Sequence, residues 1–72
     1  MTSYLIVIEG DGSTNFSAYC PDIPGVAATG ATVDECTMQM REAIEFHIEG
    51  LRLEGQPVPE PSTESTYVDV AA

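Results

Sequence analysis

Carboxylates are the side chains most able to do chemistry in this 72-residue chain, and four of them form a candidate metal-binding set. Metal-assisted hydrolysis needs such groups to converge within a few ångströms on an open, polar site. These four follow no metal-binding spacing, and no basic residue is near them in sequence to hold a phosphate: Glu9, Asp11, Asp22 and Asp69. We therefore predict no catalytic residue and no metal ligand, and keep a metal-dependent hydrolase as the least favoured hypothesis.

A histidine and two cysteines are the other reactive residues. His47 falls on the apolar stripe of a predicted helix, with no second ligand at metal spacing, which favours a packed neutral side chain. Cys36 is near the start of that helix, where a thiolate is favoured, but it lies between Val33 and Met40 on the same stripe. We expect Cys36 and Cys20 to be buried thiols, with a disulfide as the less favoured alternative.

The charge balance restricts the possible partners. Two arginines, no lysine and 12 acidic residues give a formal net charge of −10. Nucleic-acid phosphates would be repelled, whereas a basic protein would be complementary. The alternative is that the charge only keeps a small protein soluble. No apolar run approaches the roughly 18 residues of a membrane span and no basic leader is visible, so we predict a cytoplasmic chain without membrane contact.

Hydrophobic patterns predict the elements that position these residues. Alternating or continuous apolar runs indicate strands at 4–8, 15–20, 26–29 and 67–70, with a turn at 10–13. A helix separates the third and fourth strands. Thr32 is a natural N-cap with Glu35 three residues later, and Gly55 followed by Pro57 ends the helical pattern.

The element order β-β-β-α-β predicts an α+β fold of two layers. We expect a four-stranded mixed sheet in the order 3-2-1-4, with the apolar first strand in the centre and one helix on one face. The opposite face of such a sheet would lack cover. This predicts a homodimer or higher oligomer through the sheet, or a partner docked there.

An ordered set of motifs spans residues 4–70. It comprises Pro21-Asp22-Ile23-Pro24-Gly25, Thr29-Gly30-Ala31-Thr32, Asp34-Glu35, Arg41-Glu42-Ala43-Ile44 and the proline-spaced stretch 54–62. The set resembles the HicB-like antitoxin family. The resemblance implies a degenerate ribonuclease-H-like β-β-β-α-β domain without catalytic carboxylates. It also implies a small basic HicA toxin as partner, an mRNA-cleaving protein whose active site the antitoxin masks.

The resemblance has one departure and leads to two functional hypotheses. Many full-length HicB antitoxins carry a C-terminal DNA-binding domain, whereas residues 1–72 are expected to form a single HicB-like domain, so DNA binding is not carried over. The first hypothesis is a non-enzymatic, cofactor-free antitoxin that contacts its toxin through Glu9, Asp11 and Asp22. The second is a stand-alone interaction module without a toxin. Six residues are expected to be architectural: Pro21, Pro24, Gly25, Gly30, Thr32 and Glu35.

Overall fold

The computed structural model describes residues 1–11 and 13–72 of the chain. Its elements are β1 (Val7–Glu9), β2 (Phe16–Tyr19), β3 (Ala27–Gly30) and α1 (Val33–Leu53). The strands form an antiparallel sheet in the order β1-β2-β3, in which Val7 is opposite Tyr19 and Ala18 is opposite Ala28. The first three predicted strands and the helix are therefore confirmed, although each strand is shorter or shifted. The predicted turn at 10–13 includes Gly12, which lies outside the described residues.

The core lies between the sheet and α1. Alternation along β2 directs Ala18 into the core and leaves Tyr19 47% exposed. The helix packs mainly on β3 and β2, and residues preceding and within β1 reach the core from its margin. The buried apolar side chains come from β2, from α1 and from the connection between β2 and β3: Ala18, Cys20, Ile23, Val26, Cys36 and Met40.

Both ends of α1 are capped as the sequence predicts. The Thr32 hydroxyl accepts a hydrogen bond of 3.0 Å from the Glu35 backbone N–H, which satisfies one of the free donors of the first turn. The Glu35 carboxylate reaches back 3.4 Å to the N–H of Ala31. At the other end, the N–H groups of Gly55 and Gln56 bond to the carbonyls of Arg52 and Leu51, the pattern of a Schellman motif.

The connection from β2 to β3 is a rigid corner with an apolar anchor. Pro21 and Pro24 are exposed, whereas Ile23 between them has no exposed surface and donates its N–H to the carbonyl of Cys20 at 3.1 Å. Gly25 has a φ of 88°, a backbone conformation that side chains disfavour. The corner therefore turns the chain and also fills the end of the core.

Gly30 permits the close approach of β3 to α1. A Cβ atom on this residue would lie 2.5 Å from the backbone nitrogen of Cys36 and 2.8 Å from its Cα. Backbone atoms cannot move aside as a flexible side chain can, so any larger residue would push the helix away from the sheet. This close packing requires a residue without a Cβ atom at position 30.

The predicted four-stranded mixed sheet in the order 3-2-1-4 is wrong. Residues 67–70 form no strand in this chain: Tyr67 is 100% exposed, Val68 77% and Val70 76%. The sheet that the described residues form has three strands and is antiparallel, and β1 is an edge strand rather than a central one. The prediction rested on the apolar alternation of 67–70, a local pattern that does not specify a sheet edge to pair with.

The connector after α1 determines where the exposed tail, the residues beyond Thr63, leaves the body of the domain. Residues 56–63 pass along one end of the sheet, where the Tyr4 hydroxyl donates to the carbonyl of Pro59 at 2.6 Å. The next contact is with Asp22 in the corner, and beyond Thr63 every residue is exposed. No helix within the described residues is long and apolar enough to cross a membrane.

Candidate protein-binding site

Acidic side chains dominate the surface of the described residues. Every aspartate and glutamate except Asp22 is exposed, and the formal net charge is −10. Such a density of one sign produces a field that attracts cations and basic proteins over distances up to the Debye length, about 8–10 Å in physiological salt. The surface is therefore suited to bind a basic macromolecule and unsuited to bind phosphate groups.

The three predicted contact residues do not form one cluster. Glu9 ends β1 and pairs in register with Ser17, so Glu9 and Asp11 are at the β1–β2 end of the sheet. Asp22 lies beyond the opposite end of β2, in the corner that follows Tyr19. A partner that touched all three carboxylates would have to span the length of the sheet.

Asp11 is held by a local turn. Its Oδ1 atom accepts hydrogen bonds from the Ser13 hydroxyl at 2.6 Å and from the Ser13 backbone N–H at 2.9 Å. These two bonds, the hydroxyl one first, lower the pKa of the Asp11 carboxyl below its ordinary value. The side chain is thus a fixed, fully exposed negative charge beside Glu9.

Asp22 binds the connector and has no local partner. Its two carboxylate oxygens accept four hydrogen bonds, from the backbone N–H and the hydroxyl of both Ser62 and Thr63, at 2.8 to 3.1 Å. The backbone N–H groups of Thr63 and Ser62, followed by the Thr63 hydroxyl, lower the pKa of Asp22 to about 2. Asp22 joins two segments that are 40 residues apart in sequence, a role that sequence reasoning missed.

The candidate reactive residues are dispersed. Within residues 1–11 and 13–72, no three His, Cys, Asp or Glu side chains lie close enough together to hold a metal ion. Asp69 is in the exposed tail, far along the chain from the Glu9 end. Cys20 and Cys36 are free buried thiols, 3% and 0% exposed, as predicted. His47 is half-buried on the apolar side of α1.

A hollow at the β3 edge is a further candidate contact surface. It has a volume of about 580 Å³ between residues 27–29 and α1, where Gln39, Glu42 and Phe46 line it. Phe46 is 80% exposed, an unusual position for a large aromatic side chain on a monomer surface. Sequence reasoning did not single out Phe46. Its signal was a phenylalanine between Glu45 and His47, off the apolar stripe.

Comparison with known proteins gives this surface a context. The family model described as HicB_like antitoxin of bacterial toxin-antitoxin system matches residues 4–71. The chain belongs to the HicB-like antitoxin family. A UPF0150 protein of Synechocystis is 37% identical over 57 residues, which cover 79% of this chain and 72% of that protein. A UPF0150 protein of Thermoplasma acidophilum is 28% identical over 65 residues, 90% of this chain and 94% of its own.

One relative of this HicB-like chain is much longer. A 14.9 kDa protein from the rep-hol intergenic region of Haemophilus phage HP1 is 35% identical over 49 residues. The match covers 68% of the HicB-like chain but only 37% of the phage protein. The shared region is therefore one part of that protein, and the family unit occurs in chains of different length.

Proposed function

We propose that this HicB-like chain neutralises a small, basic, HicA-like mRNA interferase by covering its active site. The observation that carries the proposal is the antitoxin family match over residues 4–71. The acidic surface supports it, because an enzyme that cleaves RNA needs a basic groove for phosphates. A protein with a net charge of −10 can compete for that groove without any catalytic group of its own. The proposed action is binding, without catalysis or cofactor, in the cytoplasm.

The contact surface is proposed at the hairpin end of the sheet. Glu9 and Asp11 present two neighbouring exposed carboxylates there, and the serine bonds hold Asp11 in place. Asp22, the third predicted contact, is at the other end with its oxygens already bonded to Ser62 and Thr63. A toxin contact by Asp22 would have to add to those bonds or replace them. The hollow beside Phe46 provides apolar contact area for the same partner.

We also propose that the chain associates with a second copy through its sheet. The face of the sheet turned away from α1 carries Leu5, Val7 and Tyr19, of which Tyr19 is 47% exposed. Small domains have little core to stabilise them, and association increases the buried apolar area. Binding to a toxin and to a second copy then involve different surfaces of one domain.

Co-expression tests the toxin proposal directly. Any small basic protein encoded beside this gene is induced in a bacterial host, alone and with the HicB-like chain. We expect growth arrest from the basic protein alone and recovery with the chain, together with a purified complex that weakens as salt rises. Arrest without rescue, and no complex at low salt, would contradict an antitoxin. A neighbour with no effect on growth would instead favour the stand-alone interaction module.

Charge-neutral variants test the proposed surface. Glu9→Gln with Asp11→Asn removes two charges and keeps the oxygen that Ser13 needs. We expect the affinity for the basic protein to fall roughly 2- to 30-fold, from about 0.2–1 kcal/mol per exposed pair. The matched control is Glu54→Gln with Glu64→Gln, which removes the same charge elsewhere. Equal losses of affinity in both variants would mean that only the net charge matters and that Glu9 and Asp11 are not at the contact.

A further inference from the structure

The sheet has an open groove along its β1 side. β1 hydrogen-bonds to β2 on one side, and α1 packs mainly on β3 and β2. A groove of about 750 Å³ lies between α1 and the chain that leads into β1, and residues 58–60 of the connector also line it. Apolar side chains line its walls, from the chain before β1 and from one side of α1: Tyr4, Ile6, Met40, Ile44 and Ile48. A strand edge without a partner among the described residues, next to apolar walls, is a position that one more strand can occupy.

The tail of the same chain has the complementary pattern but does not fill the groove. Residues 64–72 are exposed throughout, and Val68 and Val70 are 77% and 76% exposed. In an extended strand these two valines point to one side, and Tyr67 and Asp69 point to the other. Added to the β1 edge, the valine side would fill the groove and the tyrosine side would extend the outer face of the sheet beside Leu5 and Val7.

The chain is more extended than a compact domain of its length. The radius of gyration is 14.1 Å, against about 11 Å for a compact chain of this length. The longest extent is 48 Å, whereas the 21-residue helix accounts for about 32 Å. The hydrogen bonds from Ser62 and Thr63 to Asp22 fix the base of the tail at the corner between β2 and β3. Up to about 30 Å of extended chain follow, enough to reach across another copy.

The charges at the groove fit this tail. Both arginines of the chain, Arg41 and Arg52, line the groove, together with Glu45 and Glu60. Glu64 has the same parity as the two valines, so a strand that places the valines in the groove turns Glu64 toward the helix side. Two copies that each carry a charge of −10 repel one another. Both arginines of each copy line this groove, so the repulsion of an acidic tail is weakest there.

We propose that two copies exchange residues 67–70, each tail adding to the free β1 edge of the other copy as its fourth strand. The exchange is reciprocal and closes with two-fold symmetry, as in domain-swapped dimers. Each copy then gains the four-stranded sheet that one chain lacks, and Val68 and Val70 are buried against Ile44 and Ile48. Within the self-association proposed above, this inference assigns the contact to the β1 edge rather than to the outer face of the sheet, and it does not depend on a toxin.

Mass measurement on tail variants tests the exchange. We expect the purified full chain to sediment at twice its 7.7 kDa. Val68→Asp with Val70→Asp should raise the dimer dissociation constant about 100-fold or more and give monomers, because two buried valines are lost from each tail. The variant leaves its own fold intact, since the tail valines have no role in its core. The matched control, Ser65→Asp with Ala71→Asp, adds the same charge on the opposite parity and should remain dimeric.

Two results would overturn the exchange. A wild-type chain that is monomeric at every concentration would show that the tail stays free or closes on its own β1 edge. A dimer that survives Val68→Asp with Val70→Asp would show that the copies meet through another surface. Hydrogen exchange supplies a second measurement: the proposal requires the amides of 67–70 to be protected in a concentration-dependent way. Loss of dimerisation and loss of toxin rescue are separate readouts, so each proposal can fail alone.

Discussion

The two margins of the sheet, at β3 and at β1, differ in how closely α1 packs against them. At the β3 margin, Gly30 lets the backbone of α1 approach closely, and the remaining hollow is lined by small side chains together with Gln39, Glu42 and Phe46. At the β1 margin, the helix leaves an apolar groove that contains both arginines. The difference teaches that a small chain can close its core against one margin of the sheet and leave the other margin open.

The largest expected effect comes from a matched pair of isoleucine substitutions. Ile23 is fully buried in the corner, so Ile23→Ala should cost about 2–5 kcal/mol, enough to unfold much of a domain this small. Ile48 is half-buried in the open groove, so Ile48→Ala should cost about 1 kcal/mol in the dilute monomer. Urea denaturation at low protein concentration measures both.

Raising the concentration sharpens this comparison. Exchanged tails would bury Ile48, so its substitution should become more costly in the dimer, whereas the cost at Ile23 should stay constant. Equal costs at high dilution would mean that the groove is already filled within one chain. That result would contradict the difference between the two margins.

A smaller loss of stability is expected when one methyl group is added between β3 and α1 at the closed margin. Gly30→Ala places a Cβ atom 2.5 Å from the Cys36 nitrogen, and the helix must shift by several tenths of an ångström or more. The expected cost is about 1–3 kcal/mol, as for other overpacked sites, and thermal denaturation measures it. Gly50→Ala is the control, because a Cβ atom there meets nothing within 4 Å and alanine favours the helix. If both variants were equally stable, the close approach of β3 to α1 would have no energetic role.

The closed margin could be predicted from sequence, and the open one only in part. Local signals decide the helix and the corner: Thr32 and Glu35 cap one end, and the prolines around Ile23 leave few paths for the chain. The strand predicted at 67–70 rested on a local pattern as well, and it is absent from the sheet of this chain. Alternation specifies which residues share a face, and it does not specify which sheet edge they meet. The hydrogen bonds from Ser62 and Thr63 to Asp22 join residues that are 40 and 41 positions apart, and no sequence pattern predicts them.

The smallest expected effect concerns the hydrogen bonds from Ser62 and Thr63 to Asp22, which we call the Asp22 tether. The tether holds the base of the tail at the corner between β2 and β3. The folded-state pKa of Asp22 is about 2, below the roughly 3.9 of an unfolded aspartate. The tether therefore contributes its full stabilisation above pH 4, and that contribution is lost as pH falls from about 4 to about 2. The amide resonances of Ser62 and Thr63 should shift in this window, with hydrogen exchange faster by about tenfold or more once corrected for intrinsic rates.

Asp22→Asn separates the tether from the other carboxylates that titrate at low pH. The amide keeps one acceptor oxygen and has no negative charge, so it cannot accept all four hydrogen bonds that Asp22 accepts. The Ser62 and Thr63 amides of this variant should exchange rapidly at neutral pH and show no shift between pH 4 and 2. The base of the tail is then free to move toward the β1 edge of its own chain. A closed monomer should compete better with the exchanged dimer, which a lower dimer fraction in sedimentation would reveal. An unchanged dimer fraction would mean that the β1 groove selects the second copy by itself, without help from the corner at the other margin.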